Sequence, residues 1–266
     1  MPTMTIENIT FGQLPAIRIT APDGASAVVT LYGGHLVSWH GADGGERLFL
    51  SARSALDGSR AIRGGVPVIF PQFAERGDGM RHGFARVSTW RLDEHGVEDG
   101  AAWAVFGLTE ADLPAALADA WPHRFALTLR VSVRANGLDM ALGVRNSGDA
   151  AFPFAAALHS YHLVPHLADV RIEGLEAGTL SIADKLDVVY EDVGDNITLG
   201  TWARVLKLEQ AGFSDAVVWN PGAADTAALA DMEDDEYQRF VCIEPAQLTL
   251  VELAPGQEWV GRYRIS

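Results

Sequence analysis

Short apolar runs with the alternation typical of β-strands recur along the chain, and turn residues separate them. The clearest runs are rich in β-branched and aromatic residues and occupy positions 27–32, 35–40, 66–70, 101–108, 125–133, 138–146, 217–219, 240–244 and 259–265. Asn136-Gly137 and Pro255-Gly256 stand between such runs, and pairs of this kind are typical of turns that connect strands. The pattern therefore predicts many short strands.

The strongest local signal predicts a β-hairpin over residues 125–144, with Asn136-Gly137 as its turn. Helical periodicity is scarce. Residues 110–120 are rich in alanine, but Pro114 interrupts them, so we expect a short surface helix or a turn at most. Many strands with few short helices predict an all-β chain, folded as an antiparallel sandwich or barrel.

The chain shows no linker, no low-complexity tract and no repeat of fixed period. A length of 266 residues permits one large β domain or two ordinary ones. Because the candidate site residues described below come from both halves of the sequence, we predict a single domain over residues 1–266.

The overall charge narrows the class of partner. The 35 acidic residues outnumber the 20 basic ones, for a net charge of −15, and such a surface repels nucleic acid and anionic membranes. The single cysteine, Cys242, excludes an intrachain disulfide framework. No leader-like start and no run of membrane-spanning length is visible. We therefore expect a cytoplasmic monomer that binds a small molecule, with neither nucleic acid nor a membrane as partner.

The region from Arg53 to Arg91 combines strand-like apolar stretches with an unusual density of arginine. Seven of the chain's eighteen arginines lie there: Arg53, Arg60, Arg63, Arg76, Arg81, Arg86 and Arg91. The planar guanidinium group matches phosphate or carboxylate in two-point geometry, and a charge is costly to bury without a partner. We therefore predict a site for a polar or anionic ligand. Arg63 and Arg86, set between glycines and aromatic residues, are expected to contact it, whereas surface ion pairs account most simply for the others.

Three titratable residues in apolar surroundings are candidates for acid–base chemistry. His82 is followed by Gly83 within an arginine-rich stretch, His159 follows an apolar run, and Glu244 closes the run at 240–244. A carboxylate and an imidazole are sufficient for general acid–base catalysis near neutral pH. The alternative for Glu244 is a solvated charge at a strand end, and for either histidine a structural role.

The alternation of a strand predicts which side chains near His159 share a face. His159 and Tyr161 should point one way, and Ser160 and His162 the other. The spacing of His159, His162 and His166 resembles a set of metal ligands, but a strand does not display them on one side as the helix of a zinc protease does. We expect no metal there, and a neutral imidazole instead.

The remaining polar candidates have more ordinary interpretations. Asp187 and Asp215 stand in apolar stretches and are expected to form hydrogen bonds with a ligand. The acidic run at 231–236 is most simply a solvated loop. Cys242 lies within an apolar run, which indicates packing rather than nucleophilic attack.

Seven motifs spread over most of the chain form one set. They are LYGGHLVSW at 31–39, IRGGVPVIFPQF at 62–73, RHGFAR at 81–86, ALHSYHLV at 157–164, LDVVY at 186–190, VVWNP at 217–221 and DDEYQRFVCIEP at 234–245. This set resembles the glucose-6-phosphate 1-epimerases, or hexose-6-phosphate mutarotases, of the aldose 1-epimerase superfamily. The resemblance implies a galactose-mutarotase-like antiparallel β-supersandwich without a metal or organic cofactor. It also implies an enzyme that interconverts the α and β anomers of a hexose 6-phosphate.

The same resemblance implies a role for each candidate residue. Glu244 would remove the proton of the anomeric hydroxyl and His159 would protonate the ring oxygen, so that the sugar ring opens and recloses as the other anomer. His82 would help to hold the sugar. We expect the imidazole and the carboxyl group to face each other across the pyranose. The implied substrate-binding residues are Arg63, Arg86 and Asp187, with Arg81 at a place where some members have glutamine.

Other functions remain open at this point. Two alternatives to the hexose 6-phosphate epimerase are a mutarotase of unphosphorylated aldoses and a non-catalytic protein that binds a sugar phosphate. A polysaccharide lyase or glycosidase would share the sandwich architecture. Hydrolysis would require a second carboxylate in the cleft, which Asp187 or Asp215 could supply.

Overall fold

Eighteen strands and two α-helices form the part of the chain that the computed structural model describes, residues 5–266. The strands are β1 (Thr5–Phe11), β2 (Leu14–Thr20), β3 (Ser26–Thr30), β4 (His35–His40), β5 (Val68–Ile69), β6 (Arg91–Glu98), β7 (Ala101–Thr109), β8 (Phe125–Arg134), β9 (Gly137–Asn146), β10 (Phe152–Leu158), β11 (Tyr161–Leu163), β12 (Arg171–Glu173), β13 (Leu186–Tyr190), β14 (Asn196–Gly200), β15 (Val205–Ala211), β16 (Asp215–Asn220), β17 (Phe240–Leu253) and β18 (Glu258–Ile265). The helices are α1 (Ala115–Ala120) and α2 (Gly222–Ala228), and short 3-10 turns lie at Ala85–Val87, Glu110–Asp112, Leu167–Asp169 and Glu236–Arg239. Within the described range, no helix is long and apolar enough to cross a membrane.

The strands form three sheets in which every paired strand is antiparallel to its neighbour. A four-stranded sheet has the order β1-β2-β3-β4, and an eight-stranded sheet the order β12-β14-β15-β18-β9-β8-β7-β6. The third sheet has the order β13-β16-β17-β10-β5, with β11 also paired to β17. The all-β antiparallel prediction is confirmed.

One large hydrophobic cluster joins the three sheets. Its fully buried members include Val29 on β3, Leu129 on β8, Phe154 on β10 and Val218 on β16. Each of these four strands contributes alternate residues to this cluster, as expected where one face of a sheet packs on another sheet. The six-stranded sheet that carries the candidate site is therefore fixed from behind by the main core.

The local sequence signals correspond closely to the observed elements. Each of the nine predicted runs overlaps a strand, although the run at 66–70 yields only the two-residue β5 because Pro67 and Pro71 lack a backbone donor. The predicted hairpin is β8–β9, in which Gly137 already pairs with Arg134, so its turn lies one residue earlier than expected. Pro114 divides residues 110–120 into a 3-10 turn and α1, as predicted.

The acidic segment at 231–236 is not the solvated loop that its composition suggests. Glu236 is only 5% exposed. Its carboxylate accepts hydrogen bonds from the Ser51 hydroxyl at 2.6 Å, the Ala52 backbone N–H at 2.8 Å and the Glu233 backbone N–H at 2.9 Å. The segment is therefore anchored to the chain that follows β4. Composition alone could not distinguish this buried glutamate from its exposed neighbours.

Removing this anchor should destabilise the fold. Glu236→Ala would leave the Ser51 hydroxyl and the Ala52 and Glu233 N–H groups without their acceptor, and we expect the free energy of unfolding to fall by about 3 kcal/mol. Urea unfolding followed by circular dichroism measures this change. Glu94→Ala, on the exposed side of β6, is the control and should leave the unfolding curve nearly unchanged. Equal curves for the two variants would contradict the anchoring role.

Candidate active site

A cavity of about 300 Å³ brings together residues that are far apart in the sequence. Seven of the eight predicted site residues line it: Arg63, Arg81, His82, Arg86, His159, Asp187 and Glu244. The eighth, Asp215, does not. These seven side chains can consequently act together on one ligand bound in the cavity.

The six-stranded sheet forms one wall of the cavity. Asp187 lies on β13 and Glu244 on β17, and His159 follows directly after β10. His159 and Tyr161 both line the cavity, whereas His162 points elsewhere, with its Nε2 3.1 Å from the Tyr263 hydroxyl. The predicted alternation of side chains after β10 is thus confirmed.

The arginines and His82 come from the irregular segment between β4 and β6. Two of its glycines allow close approaches of the backbone that no other residue would permit. Gly65 has φ +61° and Gly83 has φ +67°, and a Cβ at either would collide with the carbonyl oxygen of Leu36 or Phe70, respectively. Left-handed φ values favour glycine. These glycines fold the segment back against the sheets, so that its cationic side chains reach the cavity.

His159 and Glu244 are in direct contact. The Nδ1 atom of His159 lies 3.3 Å from the Oε1 atom of Glu244, and the side chains are 11% and 1% exposed, respectively. Neither His159 Nδ1 nor Glu244 Oε2 has a hydrogen-bond partner among residues 5–266. A sugar ring cannot lie between two groups this close. The expectation that they face each other across a pyranose is therefore wrong, and a ligand must meet both from the same side.

Burial acts in opposite directions on the proton affinities of this pair. It raises the pKa of Glu244 well above its usual value, and the negative charge of Asp187 adds to the effect. It lowers the pKa of His159 well below its usual value, and His82 and the cationic Arg63 contribute further. Burial disfavours the charged form of either group. The site thus holds a neutral imidazole beside a carboxyl group with a high proton affinity.

His82 presents a defined hydrogen-bond donor to the cavity. Its Nδ1 accepts a hydrogen bond from the Ala74 N–H at 3.2 Å, so the proton of the neutral ring is on Nε2. Burial, with the nearby charges of Arg86, Arg81 and Arg63, lowers the pKa of His82 to about 3. The ring centroid of His82 lies 5.6 Å from that of His159. Both imidazoles are therefore neutral and adjacent.

The loop that precedes His82 is closed at its base. The His82 N–H donates to the Ala74 carbonyl at 2.9 Å, reciprocating the bond from Ala74 to the imidazole. The side chain of Gln72 spans the loop, accepting a hydrogen bond from the Gly79 N–H at 2.8 Å and donating to the Gly79 carbonyl at 3.2 Å. The exposed residues 75–81 thus form a loop that is closed by the hydrogen bonds between Ala74 and His82.

The two predicted ligand-binding arginines differ in their partners. Arg63 donates to the Tyr161 hydroxyl at 3.2 Å and forms an ion pair with Asp231, also at 3.2 Å. Arg86 donates to the carbonyl of Arg81 at 2.8 Å and pairs with no carboxylate in the described part of the chain. Burial lowers the pKa of Arg86 to about 10. Arg86 is consequently a largely buried cation whose charge is not neutralised by the protein.

The other predicted binding residues lie at the rim or outside the cavity. Arg81 and Asp187 are both exposed at the rim. Asp215 is buried, and its carboxylate accepts hydrogen bonds from the backbone N–H groups of Leu248 at 2.9 Å and Asp192 at 3.4 Å. We therefore correct its assignment: Asp215 fixes the backbone at the start of β16 and cannot contact a ligand in the cavity.

Tyr161, Trp219 and Asp231 also line the cavity, although the sequence did not predict them as site residues. The ring of Tyr161 stacks on His159 at a centroid distance of 4.9 Å, and Trp219 meets His159 edge-on at 5.9 Å. Asp231 holds Arg63. The face shared by His159 and Tyr161 was a usable signal for the tyrosine. Asp231 was hidden in an acidic run, and nothing in the sequence relates it to Arg63.

The histidine spacing considered as a metal set does not bring its members together. His162 contacts Tyr263, and the imidazole of His166 accepts a hydrogen bond from the Ala168 N–H. A different group converges instead: the ligand atoms of His159, Cys242 and Glu244 all lie within 4.8 Å of one another. Cys242 is fully buried, and burial raises the pKa of its thiol well above the usual value.

A larger and more open hollow, of about 630 Å³, lies along the eight-stranded sheet. Three of its four arginines are paired with carboxylates of the same hollow, among them Arg130 with Glu98 at 3.0 Å and Arg134 with Asp139 at 2.8 Å. These groups neutralise one another. The smaller cavity has the buried acid–base pair and the unneutralised cation, and it is the candidate active site.

Comparison with known proteins agrees with this assignment. The family model described as aldose 1-epimerase matches residues 15–189 and 177–266. A "putative glucose-6-phosphate 1-epimerase" from Cenchrus ciliaris is 33% identical over 267 residues, an alignment covering 90% of this chain and 80% of that protein.

Comparison with solved structures identifies the fold. The crystal structure of a "putative mutarotase" from Salmonella typhimurium superposes with a TM-score of 0.86 at 27% identity, covering 100% of this chain and 93% of the other. Galactose 1-epimerase from Lactobacillus acidophilus superposes with a TM-score of 0.75 at 14% identity, covering 99% and 98% of the two chains. The predicted galactose-mutarotase-like fold is confirmed.

Proposed function

The chain belongs to the aldose 1-epimerase family, and from this premise we propose that it interconverts the α and β anomers of a hexose 6-phosphate, with glucose 6-phosphate as the first candidate. One observation carries the proposal. A buried carboxyl group in contact with a neutral imidazole shares a small cavity with Arg86, a cation that the protein leaves unneutralised. The first two groups are suited to proton transfer, and the third to an anionic substituent.

The charges that line the cavity favour a phosphate ester over a free sugar. Four arginines, Arg60, Arg63, Arg81 and Arg86, face three carboxyl groups, although the chain as a whole has a net charge of −15. Asp231 already neutralises Arg63, and the high proton affinity of Glu244 keeps its own charge low. A local positive field inside an acidic protein attracts an anion that the outer surface would repel.

The proposed reaction needs only proton transfers. In the reacting form of the pair, the carboxyl proton has passed to the imidazole across their 3.3 Å contact. The Glu244 carboxylate then takes the proton of the anomeric hydroxyl while the His159 imidazolium gives a proton to the ring oxygen, and the ring opens to the free aldehyde. Rotation about the bond between C1 and C2, followed by closure with the roles reversed, produces the other anomer. His82, with its proton on Nε2, donates a hydrogen bond to a sugar oxygen. Acid–base assistance of this kind contributes about 10²–10⁴-fold in rate.

The contact between His159 and Glu244 supports a short route for returning the proton. Ring opening leaves the carboxyl group protonated and the imidazole neutral, and reclosure with the roles reversed leaves a carboxylate and an imidazolium. The two side chains approach to 3.3 Å, so a small rotation would let the proton pass between them without solvent. The pair is then ready for either anomer, as an equilibrating enzyme requires.

Exchange spectroscopy by NMR tests the proposal. Freshly dissolved α-glucose 6-phosphate should equilibrate with its β anomer faster in the presence of the protein, and the same amount of protein should accelerate glucose less. Equal acceleration of both sugars would remove the role of the phosphate and indicate a mutarotase of free aldoses. Binding of glucose 6-phosphate without acceleration would contradict catalysis and favour a non-catalytic sugar-phosphate-binding protein.

A further inference from the structure

A third group, which the proposed reaction does not use, lies behind the acid–base pair of the cavity. Cys242 and Glu244 are two residues apart on β17, and therefore lie on the same face of the strand. The thiol does not line the cavity itself. It lies behind the acid–base pair, with its Sγ, an imidazole nitrogen of His159 and a carboxylate oxygen of Glu244 all within 4.8 Å of one another.

Two polar atoms at this position are buried and lack partners. His159 Nδ1 and Glu244 Oε2 have no hydrogen bond within the described residues, and the residues are 8% and 1% exposed. An unpaired buried polar atom is costly. A ligand that accepts lone pairs from nitrogen, oxygen and sulfur at once would relieve that cost, and a metal cation has this property.

The distances suit a small tetrahedral ion. Zinc binds imidazole nitrogen at about 2.0–2.1 Å and carboxylate oxygen at about 2.0–2.2 Å, so two such atoms at tetrahedral positions are about 3.3 Å apart. The separation of His159 Nδ1 and Glu244 Oε1 is 3.3 Å. At tetrahedral positions a sulfur with its bond length of about 2.3 Å would lie about 3.6 Å from the other two ligand atoms, so from a separation within 4.8 Å it would have to approach by about 1.2 Å at most, which side-chain rotation can provide.

The charges also balance. A divalent cation with one thiolate, one carboxylate and one neutral imidazole forms a complex without net charge, which tolerates a buried position better than a bare ion does. Binding releases the thiol proton to solvent, together with the carboxyl proton when Glu244 carries one. Thiolate and imidazole select zinc and other thiophilic ions over magnesium and calcium.

We infer that His159, Cys242 and Glu244 form a site for a thiophilic divalent cation, and that such an ion inhibits the protein by capturing its acid–base pair. The ion enters through the cavity, because His159 and Glu244 both line it. The binding claim stands independently of any activity. The claim of inhibition rests on the proposed function.

Cadmium titration of the whole protein tests the binding claim. A cadmium–thiolate bond absorbs in the ultraviolet, and since the chain has one cysteine, this absorption reports on Cys242 alone. We expect a band that saturates at one equivalent of Cd²⁺ and is displaced by Zn²⁺ but not by Mg²⁺. Absence of the band from the folded protein at saturating Cd²⁺ would overturn the inference.

Variants identify the other ligands. His159→Asn keeps the thiol but removes one ligand, and the affinity for Cd²⁺ should fall at least about 100-fold. His40→Ala is the matched control, because His40 and Glu46 form a surface pair with a 3.6 Å contact that could bind a cation by chance. Undiminished affinity in His159→Asn, or a loss in His40→Ala, would contradict the assigned ligands.

An exchange assay tests inhibition. Zn²⁺ should slow anomer exchange reversibly, with recovery on chelation, and Cys242→Ala should remain active while requiring about 100-fold more Zn²⁺ for the same effect. Cys242→Ser provides a second variant if alanine impairs folding. Equal sensitivity of wild type and a folded Cys242 variant would overturn the inhibitory role. If the wild type shows no exchange, the proposed function fails, whereas the cadmium titration still decides the metal site.

Discussion

Glu244→Gln should lower the rate of anomer exchange by about 10²–10⁴-fold, the usual contribution of one general acid–base group. Glutamine has the shape of glutamate but cannot accept the proton of the anomeric hydroxyl. It also cannot receive a proton from His159 across their contact of 3.3 Å, so both ring opening and the return of the proton should fail. The affinity for glucose 6-phosphate should stay close to that of the wild type, since the arginines are unchanged.

NMR exchange rates and calorimetric binding constants separate these two effects. Glu252→Gln is a matched control, because it makes the same chemical change on an exposed part of the same strand, β17. The control should retain full activity. Exchange at the wild-type rate in Glu244→Gln would exclude the carboxylate as the base, and a parallel loss of binding would indicate that Glu244 holds the sugar rather than reacting with it.

Arg86→Gln should discriminate between phosphorylated and free sugars. Arg86 is the largely buried arginine of the cavity that lacks a carboxylate partner among residues 5–266, so a bound phosphate would be its principal counter-charge. Removing one member of such a pair costs 2–5 kcal/mol in comparable complexes. We therefore expect kcat/KM for glucose 6-phosphate to fall by roughly 30-fold or more, while kcat/KM for glucose changes little.

Arg91→Gln is the control for this experiment. Arg91 lies nearby in the sequence but is exposed and paired with Asp93 at 2.9 Å and with Asp112, so its replacement should leave both substrates unaffected. An equal loss for glucose and glucose 6-phosphate in Arg86→Gln would mean that Arg86 contacts the part common to both sugars. No loss for either would place the phosphate elsewhere.

The structural features that could be predicted best are those that depend on residues close together in the sequence. The β8–β9 hairpin follows from two alternating runs around a turn, and the shared orientation of His159 and Tyr161 follows from strand geometry alone. The contact between His159 and Glu244 could not be predicted in this way. It depends on β17 lying beside β10, an order set by the packing of three sheets. The same strand order explains why the expected placement of His159 and Glu244 on opposite sides of a pyranose was wrong.

The roles of the acidic residues could not be predicted from the local sequence either. Asp187 and Asp215 stand in similar apolar stretches, yet the first lines the cavity and the second accepts hydrogen bonds from the backbone of Leu248 and Asp192. The role of a carboxylate depends on which donors the fold brings to it. Asp231 is a further case, because its partner Arg63 is distant in sequence.

The paired bonds between Ala74 and His82 have a consequence for how much the loop between them can vary. Because Ala74 and His82, which flank the loop at 75–81, are bonded to each other, the length and composition of the loop can change while the His82 imidazole keeps its position. We therefore expect insertions and substitutions in this segment to be tolerated more readily than changes at Ala74 or His82. Such variation would alter the side of the cavity lined by Arg81 while the imidazole keeps its position.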